Sequence, residues 1–317
     1  MNYKKNQNGK QTYGEVYQNW ITLHKKTIKE SSYIRIHRYF KNYILPSLGN
    51  KYIDSIKPAD LQTIIDFYAM KLQGYKSIKI YMAKVFNHAI FLELITKNPC
   101  DYIVLPRQNY NPLSESMKTG FWSKDDLRKF LRIAEKSMHP MWYCFFRLIS
   151  FTGIRKCEAL ALNWEDIDFG NRQIVIDKTL YLGENNEIKI DTPKTKNSVR
   201  ILDIDKKTTN ILATWKELQG GDNKILFSNR DKEYITPSYP LKVLKKFIRK
   251  YKLKEITIHG LRHTHCSILF EAGASMKEAQ LRLGHSDIKT TLNIYTHVSK
   301  KKKSELINLY TSYLNEI

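Results

Sequence analysis

Four short segments of the sequence combine cationic side chains with groups that can act as a nucleophile or an acid. In chain order, these segments are residues 151–160, 192–200, 258–263 and 283–298. Guanidinium groups bind phosphate oxygens through paired hydrogen bonds, and lysine or histidine can pass a proton to a leaving oxygen. A tyrosine hydroxyl, with an ordinary pKa of about 10, becomes a nucleophile when cations lie close and a base accepts its proton. Together the segments could supply a nucleophile, an acid and charge neutralisation without a cofactor.

Spacing within these segments determines which side chains can cooperate. Arg155 and Glu158 lie three residues apart, on one face of the helix predicted to follow the turn at Thr152-Gly153. His259 and Arg262 share a helical face in the same way. Each pair alone is more often an ordinary feature of a helix. Only the four segments in this order form a specific pattern.

The composition indicates a polyanionic partner. Among 317 residues, 53 Lys and Arg against 31 Asp and Glu give a formal net charge of +22. Such an excess favours DNA, RNA or an anionic membrane as partner. The sequence contains no apolar run approaching the roughly 18 residues of a membrane-spanning helix, and its first residues do not resemble a secretory signal. The four cysteines are widely spaced and fit neither a disulfide framework nor a paired-cysteine zinc site. We therefore expect a cytosolic protein that acts on nucleic acid.

The pattern of apolar residues divides the chain into a helical N-terminal part and a mixed C-terminal part. Apolar residues recur at helical spacing from Thr12 to Cys100, and residues 105–120 have the polar, proline-containing composition of a linker. Ser123 and Asp126 form a capping signal for a first helix beyond the linker. The predicted strands are Gln173–Leu180, Glu187–Asp191 and Ser198–Ile204, with turns at Gly183–Asn186 and Pro193–Asn197. The predicted fold class is mainly α with a small antiparallel β-sheet.

Two basic stretches are candidates for contact with phosphate groups. Between Leu241 and Lys254, basic residues alternate with apolar ones, which also fits a solvated helix face. The predicted hairpin tip at 192–200 is likewise ambiguous when taken alone. The high net charge favours phosphate contact, because each lysine or arginine bound to DNA releases a condensed counterion. The candidate DNA-binding residues are Lys196, Arg200, Lys245 and Lys246.

The ordered segments resemble the tyrosine recombinase family, which includes the phage-type integrases. The matching motifs are Thr-Gly-x-Arg-x-x-Glu, a hairpin lysine, His-x-Leu-Arg-His-Thr, and Leu-Gly-His followed ten residues later by tyrosine. The resemblance covers about residues 12–300. It is strongest to integrases of phages, pathogenicity islands and conjugative transposons of Gram-positive bacteria. It implies a helical SAM-like core-binding domain followed by a mixed α/β catalytic domain.

The resemblance implies a role for each matched residue. Tyr295 would attack a DNA phosphodiester and form a 3′-phosphotyrosyl link. Arg155 and Arg262 would hold the non-bridging oxygens, and their planar forks suit this better than lysine. Lys194 would be the general acid for the 5′-oxygen, with Lys196 as the alternative because the hairpin reads Pro-Lys-Thr-Lys.

The remaining matched residues would support this chemistry. The resemblance implies that His259 assists proton transfer, that His285 hydrogen-bonds the phosphate, and that Glu158 orients its neighbours. The covalent link conserves the energy of the phosphodiester, so ligation needs no ATP. That agrees with the missing phosphate-binding loop of nucleotide enzymes. The expected activity is integration and excision of a mobile genetic element, with no metal and no cofactor.

The resemblance also implies a domain plan and a set of partners. The expected segments are a short N-terminal segment (1–11), the core-binding domain (12–105), a linker (106–121), the catalytic domain (122–303) and a C-terminal helix (304–317). The last helix is amphipathic and would dock on a neighbouring protomer in a ring of four on double-stranded DNA attachment sites. An excisionase or a DNA-bending protein is a candidate accessory partner. The expected location is the bacterial cytoplasm, at the nucleoid when bound to DNA, with no membrane partner.

Family members often carry a further arm-binding domain at the N-terminus. Only about ten residues precede the helical domain here, so either that domain is absent or this sequence is part of a longer chain.

Two alternative functions remain open from the sequence. A type IB topoisomerase-like enzyme would nick and reseal DNA without strand exchange, although a monomeric enzyme of that kind needs no docking helix. A non-catalytic DNA-binding protein of the same fold would show decayed catalytic positions, whereas all six positions are filled here. Recombination is therefore the leading hypothesis.

Overall fold

The computed structural model describes residues 10–72, 74–106, 120–193 and 198–284, together with Leu292, Thr311 and Leu314. These residues belong to two compact units. The N-terminal unit holds the described residues up to Pro106, with Gly183–Asn185 grouped with it, and the C-terminal unit holds the remainder from Gly120 onward.

The N-terminal unit is built from helices, as its sequence predicts. Its α-helices are α1 (Tyr13–Lys25), α2 (Glu30–Tyr39), α3 (Leu45–Leu48), α4 (Pro58–Lys71) and α5 (Tyr75–Phe91). Other helical turns cover Phe40–Ile44, Ile53–Ser55 and Pro99–Tyr102. Thr12 and Glu15 cap α1 reciprocally, and the Asp60 carboxylate accepts a hydrogen bond from the Lys57 N–H at the start of α4. The apolar faces enclose an aromatic-rich core, which confirms the predicted helical domain.

The C-terminal unit combines helices with short strands. Its α-helices are α6 (Lys124–Ser137), α7 (Pro140–Thr152), α8 (Lys156–Leu160), α9 (Lys206–Gln219), α10 (Tyr239–Lys250), α11 (Ile258–Glu271) and α12 (Met276–Leu283). Its strands are β1 (Ile167–Asp168), β2 (Gln173–Ile176), β3 (Thr179–Leu182), β4 (Ile188–Asp191) and β5 (Arg200–Asp203), and Trp164–Asp166 forms a 3₁₀ turn. The predicted cap of Ser123 and Asp126 is present at the start of α6. In the described parts of both units, every helix is too short or too polar to cross a membrane.

The strands form two small antiparallel sheets in the described residues, rather than the single sheet that the sequence suggests. One sheet has the order β1-β2-β5, and β3 pairs with β4 in the other. The predicted continuous strand Gln173–Leu180 is wrong, because the chain leaves the first sheet at Asp177 and Lys178. The Lys178 Nζ lies 2.7 Å from an oxygen of the buried Asp166 carboxylate, and this ion pair holds the chain at the crossing point.

The segment 192–200 differs from the predicted hairpin in its surroundings. Because β4 pairs with β3 and β5 pairs with β2, the described ends of this segment enter different sheets. The predicted turn at Pro193–Asn197 lies outside the described residues except for Pro193. The turn at Gly183–Asn186 is confirmed, since Leu182 pairs with Ile188 across it.

Helix α7 forms the centre of the C-terminal unit. It packs against α6, α9 and α11, so nearly all of its side chains are buried, as expected for a helix covered on every side. The buried Arg147 stacks on the ring of Phe151 at 3.9 Å. Its Nη2 donates to the Asp205 carboxylate at 3.0 Å, and its Nε donates to the Thr208 hydroxyl at 3.1 Å. This anchor ties α7 to the start of α9.

Replacing Arg147 tests this anchor. We expect Arg147→Ala to lower the free energy of unfolding of the C-terminal unit by about 2 kcal/mol, because Asp205 and Thr208 lose a buried partner. The matched control is Lys207→Ala, which removes an exposed ion pair with Glu135 and costs less than about 1 kcal/mol. Urea unfolding followed by tryptophan fluorescence measures both, since four of the five tryptophans lie in this unit. Equal losses in the two variants would contradict the assignment.

Candidate active site

The described parts of the four predicted segments converge at one place in the C-terminal unit. Arg155, His259 and Arg262 line a common cavity of about 370 Å³. Helix α11 contributes His259 and Arg262, while Arg155 precedes the first residue of α8. Arg155 has an extended backbone there, so it occupies the N-cap position, one residue before the helix that was predicted to carry it. A larger cavity of about 870 Å³, lined by Trp142 and Trp215 among others, contains none of the predicted residues.

Gly153 explains the Thr-Gly pair of the first motif. It ends α7 in the left-handed region, with φ of 68°, which favours glycine. A Cβ atom at this position would lie 2.6 Å from the Cδ2 atoms of both His265 and Leu283. The Gly153 carbonyl oxygen accepts a hydrogen bond of 2.6 Å from the Nη1 of Arg262. Glycine therefore allows the close packing that positions a predicted catalytic arginine.

Arg262 is a buried cation held by main-chain carbonyls. Only 1% of its surface is exposed, and its Nη2 donates to the Leu283 oxygen at 2.7 Å. Its Nε is buried without a hydrogen-bond partner among the described residues. Burial, followed by the charge of Arg155, lowers the pKa of Arg262 to about 9, so the guanidinium is charged at neutral pH. An anion in the cavity would stabilise this charge.

Glu158 supplies the carboxylate that balances the arginines. It is 2% exposed and accepts hydrogen bonds from the Arg155 main-chain N–H at 2.9 Å and from the Arg155 Nη1 at 2.6 Å. Its second guanidinium partner is Arg200, whose Nη2 lies 3.0 Å away. Burial raises the pKa of Glu158, but the charges and hydrogen bonds of Arg200 and Arg155 outweigh it and keep the pKa below its usual range. Glu158 is thus ionised and orients Arg155.

Arg155 also reaches the end of α12. Its Nη2 donates to the Gly284 oxygen at 2.9 Å. The next residue in the chain is His285, one of the predicted phosphate ligands. His285, Tyr295, Lys194 and Lys196 lie outside the described residues, so their roles remain predictions.

The histidines of α11 differ in their surroundings. His259 is exposed at the cavity, and partial burial followed by the charges of Arg262 and Arg155 lowers its pKa. Its ring meets the His263 ring edge to face, with centroids 4.4 Å apart. Burial and the neighbouring His259 and Arg262 lower the pKa of His263 to about 4. His259 is therefore neutral at neutral pH and able to accept a proton.

The predicted DNA-binding residues fall into two groups. Lys245 and Lys246 are exposed on α10, on the side away from its buried residues. Arg200 is instead buried, with 7% of its side chain exposed, and all three of its nitrogens donate to protein acceptors. The expected DNA contact of Arg200 does not fit this position, because its guanidinium bonds Glu158 and main-chain oxygens.

The sequence did not predict a role for His265 and Arg282. These two residues contact each other next to the site but do not line its cavity. The His265 Nδ1 lies 3.0 Å from the Ser150 oxygen, and the Arg282 Nε lies 3.2 Å from the His265 Nε2. His263 and His265 lie two residues apart, a spacing that does not fit a helical metal face and by itself indicates an ordinary satisfied or exposed histidine. The sequence carries no signal for Arg282 beyond its place two residues before Gly284.

The buried histidine makes the stability of this unit depend on pH. Burial, followed by the charge of Arg282, lowers the pKa of His265 from 6.5 to about 3. Between these values the unfolded state holds more protons than the folded state, so stability falls as the pH falls. Replacing His265 by glutamine should reduce this slope by about 1.4 kcal/mol per pH unit between about pH 4 and about pH 5.5. Urea midpoints across that range measure the slope, with Lys207→Ala as a control. An unchanged slope would contradict the buried neutral histidine.

Comparison with known proteins agrees with this geometry. Residues 121–302 match the family model described as the phage integrase family, and residues 12–68 match that of the phage integrase N-terminal SAM-like domain. The chain is 29% identical over 280 residues to the ICEBs1 integrase of Bacillus subtilis, covering 86% of this chain and 74% of that protein. It is 28% identical over 270 residues to the transposase from transposon Tn916 of Enterococcus faecalis, covering 80% of this chain and 66% of that protein.

A solved structure shares the fold. The Tn1549 transposon integrase superposes with a TM-score of 0.76 at 23% identity, covering 93% of this chain and 99% of that one. The fold class is confirmed as a helical SAM-like domain with a tyrosine recombinase catalytic domain. With a family model spanning more than half of its residues, the chain belongs to the phage integrase family.

Proposed function

We propose that this chain is a site-specific DNA recombinase that integrates and excises a mobile genetic element. Family membership supports this function, as do relatives named as an integrase and as a transposase. The observation that carries the proposal is the convergence of Arg155, Arg262 and His259 on one cavity, backed by the buried Glu158. The Tn1549 integrase was solved in complex with a circular intermediate DNA, which makes double-stranded DNA the expected substrate here.

The charges at the site suit one phosphodiester. Arg155 and Arg200 pair with the single carboxylate of Glu158, and Arg262 lines the same cavity as Arg155. Three guanidiniums against one carboxylate, 3 − 1, leave two positive charges. A guanidinium has five N–H donors. Arg155 uses two of its nitrogens on protein acceptors, and so does Arg262, whose Nε has no partner among the described residues. We therefore assign the non-bridging phosphate oxygens to Arg155 and Arg262.

The proposed reaction exchanges one phosphodiester for another. The Tyr295 hydroxyl oxygen attacks phosphorus, the bond to the 5′-oxygen breaks, and a 3′-phosphotyrosyl link forms. The tyrosine proton passes to a base, a role that suits the neutral His259. Lys194, or Lys196 as the alternative, donates a proton to the departing 5′-oxygen, and His285 hydrogen-bonds the phosphate. A 5′-hydroxyl of another strand then reverses these steps, so the bond energy is conserved.

We also propose that the reaction needs neither a metal nor ATP. Negative charge develops at the phosphate in the transition state, and the arginines provide the positive charge that balances it. Preorganised donors of this kind stabilise transition states strongly. Removing metal ions with an excess of chelator should leave the rate of covalent complex formation with DNA unchanged.

Assembly and accessory partners complete the proposal. We infer a tetramer on attachment-site DNA, joined by the C-terminal helix at 304–317, of which only Thr311 and Leu314 are described. Lambda integrase was solved as a tetramer bound to a Holliday junction, and this supports the inference. The boundaries at 12–105, 106–121 and 122–303 remain part of the proposal, as do an excisionase or DNA-bending partner and a place at the bacterial nucleoid. Lys245 and Lys246 remain candidate phosphate contacts.

Covalent capture tests the proposed chemistry. The chain is incubated with fragmented DNA of its source in the presence of a chelator and without ATP, then denatured, and the attached DNA is sequenced. We expect wild type to retain one recurring sequence and Tyr295→Phe to retain none, because phenylalanine lacks the nucleophilic oxygen. Equal adducts in both samples would assign the nucleophile to another residue. Tight binding without any adduct would favour a non-catalytic DNA-binding protein.

A further inference from the structure

We propose that His265 and Arg282 are positioning residues for DNA cleavage, which fix the end of α12 and thereby the guanidiniums of Arg155 and Arg262. This inference rests on the proposed function. It assigns a role to two residues that lie outside the motifs matched in the sequence. Neither residue lines the cavity shared by Arg155, His259 and Arg262, so neither is placed to touch the phosphate there.

His265 provides a buried acceptor of fixed orientation. It is 7% exposed, and its Nδ1 lies 3.0 Å from the main-chain oxygen of Ser150 near the end of α7. Because a carbonyl oxygen only accepts, Nδ1 must carry the proton, and Nε2 is left as an acceptor. The lowered pKa of His265 agrees with this neutral form. The Arg282 Nε donates to that acceptor across 3.2 Å.

Arg282 joins α12 to three other elements. Its Nη2 donates to the Phe151 oxygen at the end of α7 and to the Asp203 oxygen of β5, both at 3.1 Å. Together with the bond to His265 on α11, these contacts clamp the last turn of α12. A planar guanidinium can make all of these bonds at once, whereas a lysine ammonium offers a single nitrogen.

The clamped turn carries the acceptors that hold the predicted catalytic arginines. Three consecutive main-chain oxygens each accept from a different arginine. Arg200 bonds the oxygen of Arg282 at 3.0 Å, Arg262 that of Leu283 at 2.7 Å, and Arg155 that of Gly284 at 2.9 Å. A shift of this turn therefore moves both Arg155 and Arg262.

His265 acts on Arg262 by a second route. Its ring packs against Gly153, where an added Cβ would come within 2.6 Å of the ring. The Gly153 oxygen is the acceptor for the Arg262 Nη1. Of the two main-chain oxygens that hold Arg262, that of Gly153 thus lies against His265 and that of Leu283 follows Arg282 in the chain. Misplacement by about 1 Å can cost a catalysed step about a hundredfold.

Four variants of the full chain separate the two bonds of His265. His265→Asn keeps a donor near the Nδ1 position and removes the acceptor for Arg282. His265→Gln keeps an acceptor near the Nε2 position and removes the donor to Ser150. Arg282→Lys keeps the charge but not the fork, and because Arg282 is only half-buried, this variant carries the test if His265→Asn does not fold. The fourth variant combines His265→Asn with Arg282→Lys.

The readouts are the single-turnover rate of covalent complex formation on a nicked duplex of the captured sequence, the Kd for the same DNA, and the Tm. We expect His265→Asn and Arg282→Lys to slow covalent complex formation by about 10- to 100-fold while changing Kd less than about threefold. His265→Gln should keep at least about a third of the wild-type rate. The double variant should be no slower than the slower of His265→Asn and Arg282→Lys, because both substitutions break the same contact between Arg282 and His265.

The outcomes distinguish this inference from the proposed function. Three results would overturn the positioning role alone. The first is a wild-type rate in both His265→Asn and Arg282→Lys, and the second is a loss of rate that follows the change in Kd or Tm. The third is a loss in the double variant that equals the product of the two single losses. If wild type forms no adduct on any duplex, the proposed function fails, and the inference fails with it.

Discussion

The position of the arginines in the C-terminal unit depends on the last turn of α12. A helix leaves its final carbonyl groups without intrahelical partners, and these groups carry a partial negative charge. Here three successive carbonyls accept from Arg200, Arg262 and Arg155, which come from three other parts of the chain. The same guanidiniums therefore complete the fold and provide the cationic cavity. Hydrogen bonds to main-chain oxygens explain why a cation as buried as Arg262 is tolerated without a carboxylate bonded to it.

The balance of charge links this arrangement to function. Glu158 compensates one of the three guanidiniums, and the excess favours an anion at the place where Arg155 and Arg262 converge. Lysine would not replace these arginines, because each bonds protein acceptors and still has donors for phosphate oxygens. Partial burial, followed by the charges of Arg262 and Arg155, lowers the pKa of His259, which favours a neutral proton acceptor at the same cavity. These groups, together with a nucleophile, are the ones that the proposed phosphodiester exchange requires.

The sequence predicted local features better than long-range ones. The cap of Ser123 and Asp126 and the helices of the N-terminal unit depend on neighbours in sequence, and the structure has both. The pairing of Arg155 with Glu158, three residues apart, was visible for the same reason. The break at Asp177 was hidden, because alternation of apolar residues does not reveal where a chain changes sheets. The burial of Arg200 was also hidden, since its partners are a distant carboxylate and main-chain oxygens that no pattern of residue types records. Tyr295 and Lys194 remain predictions that rest on the resemblance.

A neutral analogue of the phosphate shows directly whether Arg155 and Arg262 act on the charge of the DNA backbone. A duplex with a neutral methylphosphonate at the cleaved position removes the anion that Arg155 and Arg262 are assigned to balance. We expect Arg262→Ala and Arg155→Ala to lose about a thousandfold in covalent complex formation on the ordinary duplex, because each removes a preorganised cationic donor. On the neutral duplex each should lose only about tenfold relative to wild type. Equal losses on both duplexes would contradict the account, because the arginines would then act through something other than the charge of the phosphate.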